Sequence, residues 1–153
     1  MSNERKLTSS KVIALIAHDH KKAELVEWAT RNKAMLAPHT LYATGTTGKL
    51  IEQALGQPVI KMLSGPLGGD QEIGAFIATG KIDVMIFFSD PMEMQPHDSD
   101  VRALVRLGTA WNIPIAMNEA SADFMMTSPY MNGDYTIVIP DYSSYLKRTI
   151  KED

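Results

Sequence analysis

The sequence predicts an α/β fold: a three-layer, doubly wound, Rossmann-like domain around a mainly parallel five-stranded sheet. Three observations carry this. The runs Val-Ile-Ala-Leu-Ile-Ala within 11–17 and Val-Met-Ile-Phe-Phe within 83–88 are continuously apolar rather than alternating. That pattern marks strands buried on both faces, as in a parallel sheet. Segments with helical apolar spacing lie between such runs, and regular strand–helix alternation winds a sheet with helices on both sides. Polar and glycine-rich clusters follow the carboxyl ends of successive strands, which face one edge of an open parallel sheet.

In chain order, residues 1–10 are polar and read as a flexible N-terminal arm before a single domain spanning 11–153. They lack the apolar core of a secretory signal. The first strand, within 11–17, ends in His18-Asp19-His20. A helix follows to about Leu36, with Leu25, Trp28, Ala29 and Asn32 on one face and Asp19 as its cap. The second strand, 40–43, runs into Thr44-Gly45-Thr46-Thr47-Gly48 and a helix carrying Leu50, Ile51, Ala54 and Leu55, stopped at Gly56. The third, within 58–63, leads into Ser-Gly-Pro-Leu-Gly-Gly-Asp at 64–70 and a helix with Ile73, Phe76 and Ile77 at i, i+3, i+4. The fourth, within 83–88, is followed by Ser89-Asp90-Pro91 and a loop holding Pro96-His97-Asp98. A helix then carries the stripe Val101, Leu104, Val105, Gly108, Trp111. The fifth strand is 113–117, followed by a short helix at 120–128. Residues 135–139 form a further strand or an extended edge, and 141–151 a terminal helix.

The 153 residues amount to one domain, 44% apolar and 22% charged, as in ordinary globular chains. A net charge of −3 without a basic block argues against nucleic acid as the partner. The absence of cysteine excludes a disulfide framework, a thiolate nucleophile and Cys-ligated zinc, and fits a reducing compartment. No run approaches the ~20 apolar residues that a membrane span needs, so a cytoplasmic protein is expected. The ten methionines fall mostly in or beside apolar runs, where they fill core gaps.

The polar residues gather on one edge. Three hydroxyls and two glycines at 44–48, at a helix N-terminus, make a phosphate cradle or a Thr-rich cap. The stretch is neither GxxxxGK[ST] nor GxGxxG. In 64–70 three glycines let backbone N–H groups approach a ligand, and Asp70 is either a helix cap or a base beside an anion site. Lys22, one turn after Asp19, is either a phosphate-neutralising ammonium or a solvated lysine. Loop residue His97 either shuttles protons or is simply exposed. His18, His20, Asp19 and Asp90 lack a metal-ligand spacing, so no metal is expected. The loops at the opposite edge, such as 30–39 and 80–81, lack such clusters.

Together these segments resemble the methylglyoxal synthase family. The match lies in Ile-Ala-Leu-Ile-Ala-His-Asp-His at 13–20, Leu-Tyr-Ala-Thr-Gly-Thr-Thr-Gly at 41–48 and Ser-Gly-Pro-Leu-Gly-Gly-Asp-Gln at 64–71. It continues in Gly-Lys-Ile-Asp-Val-Met-Ile-Phe-Phe at 80–88, Asp-Pro at 90–91, Pro-His-Asp at 96–98 and Asn-Ile-Pro-Ile-Ala at 112–116. The resemblance implies the methylglyoxal synthase-like fold. It implies conversion of dihydroxyacetone phosphate to methylglyoxal and inorganic phosphate, a glycolytic bypass that needs no cofactor. By this likeness Asp70 is the catalytic base, and His97 polarises the carbonyl and moves protons between enediol oxygens. Backbone N–H near Gly65 faces the oxyanion, and Lys22, Thr44, Gly45, Thr46, Thr47 and Ser64 hold the phosphate. His18 lines the pocket, while Asp19, Asp90 and Asp100 orient His97. A homohexamer inhibited by phosphate is implied as well. Some members carry a terminal arginine that reaches a neighbouring subunit's site; Arg148 is the candidate here, although Thr149 stands at the aligned position. The competing readings are a non-catalytic phosphate-binding regulatory module of the same fold and a flavin or nucleotide binder.

Overall fold

The computed structural model describes residues 3–92 and 98–146, and for 98–100 and 146 the backbone alone. Five strands, β2 (Val12–Ala17), β3 (Thr40–Thr44), β4 (Val59–Met62), β5 (Val84–Phe88) and β6 (Ile115–Ala116), form one sheet in the order β4-β3-β2-β5-β6. Every neighbouring pair is parallel. The chain starts at the central β2, steps outward to β4, then returns to β5 on the other side. The strand order therefore reverses at β2, and a crevice opens there at the carboxyl ends.

Alternate residues of each strand feed two cores. Ile13, Leu15, Ile86 and Phe88 pack with Leu25, Trp28, Ile51 and Met126 on one face. That face carries the helices α1 (Lys22–Arg31), α3 (Gly45–Leu55) and α6 (Glu119–Met126). Ala14, Ile16, Met85 and Phe87 pack with Ile73, Ile77 and Leu104 on the other. There lie α4 (Gly69–Ala78) and α5 (Asp98–Ala110). The continuous apolarity of the strands thus has its expected cause: both faces are covered.

Several local expectations are corrected. Asn3–Leu7, expected within a flexible arm, is a strand, β1, paired antiparallel with β7 (Tyr135–Ile139) in a separate two-stranded sheet. Its polar residues hid it, because only Leu7 is buried; Arg5 also donates to Ile82 O and pairs with Asp83. The helix expected up to Leu36 breaks at Asn32. The Asn32 amide donates to Trp28 O at 2.8 Å and the residue leaves helical geometry at φ −104°, ψ 20°. Only a short α2 (Lys33–Leu36) follows. Asp19 is no cap of α1; it opens a 3-10 turn, Asp19–Lys21, and Lys21 precedes the helix without a side-chain cap bond. Gly56 does end α3, at φ 64°. Of the expected terminal helix, a short α7 (Ser143–Leu146) is described, and Arg148 lies outside the described residues.

The edge of the sheet away from the crevice is not empty of polar groups. The Lys11 N–H donates to His39 Nδ1 at 2.9 Å, and His39 Nε2 lies 3.1 Å from Asn132 Oδ1. Lys11 Nζ donates to Thr8 O and to Gly133 O. These groups tie loops together where strand backbone would otherwise go unpaired. Burial pushes the His39 imidazole below its ordinary value of 6.5. Below about pH 6.5 the unfolded chain takes up a proton that the folded chain refuses, so stability falls as the pH drops from there toward the folded value. Urea midpoints between pH 7.5 and 5.5 are expected to fall for the parent and to flatten for His39→Gln; parallel slopes would remove His39 from the pH dependence.

Candidate active site

Three strand ends build the cleft. β2 delivers His18, whose N–H donates to Phe88 O at 3.2 Å across the switch point. The His18 ring stands edge-on to Phe87, with centroids 5.2 Å apart. Its Nδ1 accepts the Asp90 backbone N–H at 2.8 Å. In the neutral ring that assigns the proton to Nε2 and makes this nitrogen the donor. The 3-10 turn then places Lys22 at the start of α1, with Nζ 2.9 Å from Asp19 Oδ1. The Lys22 hydrogen bond holds the Asp19 carboxyl below the usual carboxylate range. The Asp19 side chain is 83% exposed, so the pair contributes little and an incoming dianion can compete for the ammonium.

β3 delivers the threonine turn. Thr44 precedes α3 in extended geometry with no side-chain cap bond, which disposes of a Thr44 cap. Gly45 adopts φ 45°, and a Cβ there would lie 3.0 Å from Ser64 Cβ. The glycine therefore lets the turn after β3 close against the turn after β4. Thr47 Oγ1 is buried without a hydrogen-bond partner among the described residues. A buried hydroxyl in that condition is costly unless something supplies an acceptor or donor.

β4 delivers Ser64 and the 3-10 turn Gly65–Leu67. Gly68, at φ 109°, occupies the cap position ahead of α4 and brings no side chain to it. Asp70 sits in the first turn of α4 rather than at its cap. Its carboxylate lies 3.7–3.8 Å from where a Gly65 Cβ would be, within van der Waals reach of that position.

The resulting cleft holds about 100 Å³. Of the expected site residues, His18, Asp19, Lys22, Thr44, Gly45, Thr46, Ser64, Gly65 and Asp70 all line it. Thr47 is buried but is not among the lining residues. The Asp90 carboxylate also lies off the cleft. It accepts the Met92 N–H at 3.0 Å, which holds it below its ordinary range, and lies 3.3 Å from His20 Nδ1. His97 and the Asp100 side chain lie outside the described residues. The sequence reading missed the apolar floor, Ile16, Ala17, Pro66 and Phe87; the strand residues had read only as core. Among the described residues no group of three or more His, Asp or Glu is placed to hold a metal ion.

Chemically, the cleft combines α3 N-terminal amides, hydroxyls and an ammonium, which suit a phosphate, with a carboxylate suited to accept a proton.

The chain is similar to known proteins over nearly its whole length. The family model described as "MGS-like domain" matches residues 24–117. The chain is 55% identical to the methylglyoxal synthase of Pectobacterium atrosepticum over 147 residues, covering 96% of this chain and 97% of that one. It is 53% identical to that of Proteus mirabilis over 148 residues, 97% of each. The crystal structure of methylglyoxal synthase from Elizabethkingia anophelis superposes with a TM-score of 0.93 at 55% identity, covering 99% of both chains.

Proposed function

Because the chain belongs to the methylglyoxal synthase family, we infer that it is a carbon–oxygen lyase converting dihydroxyacetone phosphate to methylglyoxal and inorganic phosphate. The observation that carries this is the Asp70 carboxylate beside Gly65, in the same small cleft as Thr44, Thr46 and Lys22. The phosphate of the substrate sits at the α3 N-terminus, held by Thr44, Gly45, Thr46, Thr47, Ser64 and Lys22. The hydroxyl of Thr47 gains its missing partner through this network. Asp70 removes a proton from the hydroxymethyl carbon beside the carbonyl. The C–H electrons become a C=C bond and the carbonyl oxygen an oxyanion, facing the Gly65 N–H and the His18 Nε2–H as preorganised donors. The proton of the terminal hydroxyl then passes to the central oxyanion. The terminal oxygen re-forms a C=O, and the C=C electrons shift to the phosphate-bearing carbon and expel phosphate, which takes the proton held by Asp70. The enol left behind ketonises to methylglyoxal.

Elimination competes with reprotonation, which would give only an isomerised triose. Expulsion requires the C–O bond to phosphate to stand perpendicular to the enediolate plane. A cradle and a base on different strand ends hold the two ends of the substrate independently, and so can impose that twist. His97 completes the scheme by polarising the carbonyl and carrying protons between the enediol oxygens, with Asp19, Asp90 and Asp100 tuning it. A cytoplasmic homohexamer that is inhibited by phosphate, with Arg148 near a neighbouring site, is part of the same reading. Among the described residues no helix is long and apolar enough to cross a membrane. A purely regulatory phosphate-binding module would have no use for a carboxylate in the cleft.

The test is incubation with dihydroxyacetone phosphate, assaying methylglyoxal and free phosphate together. Equal amounts of both are expected. Glyceraldehyde phosphate without phosphate release would overturn the elimination.

A further inference from the structure

We propose that Glu72 is a positioning residue, which locks the catalytic turn against α4 and so fixes Asp70 and the Gly65 N–H for proton abstraction. The inference rests on the reaction proposed above. The Glu72 carboxylate accepts the Leu63 backbone N–H at 2.7 Å, nine residues back along the chain. Leu63 is the residue between β4 and Ser64. The carbonyl of Leu63 closes against the start of the same helix: a Cβ at Gly69 would lie 1.9 Å from its oxygen. The next carbonyl, Ser64 O, accepts from Gly69 N at 2.9 Å and from Leu67 N at 3.0 Å. Gly65 O accepts from Gly68 N at 3.1 Å.

All these bonds but one join backbone to backbone, within a turn of glycines and a proline. The exception is Glu72, the side chain that ties α4 back to the end of β4. It stands two residues beyond Asp70 in the same helical turn, so it does not enter the cleft. A carboxylate–amide bond is stronger than a neutral one. Among the hydrogen bonds named above it is the one side-chain tie at the entry of the turn. Gly65, Asp70 and one of the phosphate-holding residues, Ser64, lie on that turn and its helix, whereas Thr44 ends β3, Thr46 lies in the first turn of α3 and Lys22 opens α1. Loosening the turn should therefore damage proton abstraction more than phosphate capture.

The test compares the parent with Glu72→Ala and Glu72→Gln, whose amide oxygen can still accept the Leu63 N–H. Glu72→Met, of similar length without an acceptor, replaces the alanine variant if that fails to fold. With dihydroxyacetone phosphate, kcat of Glu72→Ala is expected to fall about 10–100-fold, the scale of misplacement in a positioned site. The Kd for inorganic phosphate should stay within about threefold, and Glu72→Gln should recover kcat to within about threefold of the parent. Parental kcat in Glu72→Ala overturns the inference. So does an equal loss in Glu72→Gln, or a parallel loss of kcat and phosphate affinity, since that would mark a merely structural role. An inactive parent would overturn the proposed reaction and this inference with it; an active parent with an active Glu72→Ala overturns this inference alone.

Discussion

Asp70→Asn is expected to lower kcat by about 10²–10⁴-fold, the range a positioned general base contributes, while inorganic phosphate or a substrate analogue still binds. The replacement is nearly isosteric, and Asp70 is not the cap of α4, since Gly68 holds that place. The replacement therefore leaves the cap position itself unchanged. Apart from Ser64, which shares the β4 end with Asp70, the groups assigned to the phosphate stand on other strand ends, in the turns after β2 and β3. Removing a negative charge from a cleft that receives a dianion should, if anything, tighten binding. Titration with phosphate and steady-state kinetics on the same preparation separate the two effects. Loss of binding along with turnover would make Asp70 a structural residue, and unchanged turnover would remove it as the base.

Gly69→Ala is expected to be the most damaging small substitution in the turn. A Cβ there would lie 1.9 Å from Leu63 O, 2.9 Å from Leu63 C and 3.0 Å from Ser64 C. All three are backbone atoms, so no rotamer change relieves the contact; either the turn or the start of α4 must move. Overpacking of this kind costs about 1–3 kcal/mol or more, and each kcal/mol lowers Tm by about 2–4 °C in a chain of this size. The displacement also reaches Asp70, the next residue, so kcat should fall even where the fold survives. Gly56→Ala is the control. Gly56 is left-handed at φ 64°, yet a Cβ there meets nothing within 4 Å. It should therefore show only the strain of about 1–2 kcal/mol that a left-handed alanine carries, with kcat unchanged. Parental Tm and kcat in Gly69→Ala would show that the turn does not need the close approach.

Much of this was readable before any coordinates. Continuous apolar runs locate the central strands because burial on both faces leaves no polar position in them. The polar clusters mark the functional edge because each follows a strand end. Nine of the expected site residues converge on one cleft for that reason. What escaped the reading is non-local. Nothing near Asn3–Leu7 announces a strand, since its partner lies more than a hundred residues away at Tyr135–Ile139. Asp19 has the residue type of a cap, but the 3-10 turn that follows it redirects it to Lys22. His39 read as an ordinary loop residue, and its burial depends on Lys11 and Asn132.

By itself the sequence determined the class of fold, the succession of the five central strands along the chain, and which edge carries the chemistry. Those follow from the periodicity of burial and from local turn chemistry, both of which are written in neighbouring residues. Only the tertiary structure decided that Gly45 packs against Ser64, that the Asp70 carboxylate lies by Gly65, and that Glu72 reaches back to Leu63. These depend on how turns from separate strands come together, and distances between such turns are set by packing that no local pattern encodes.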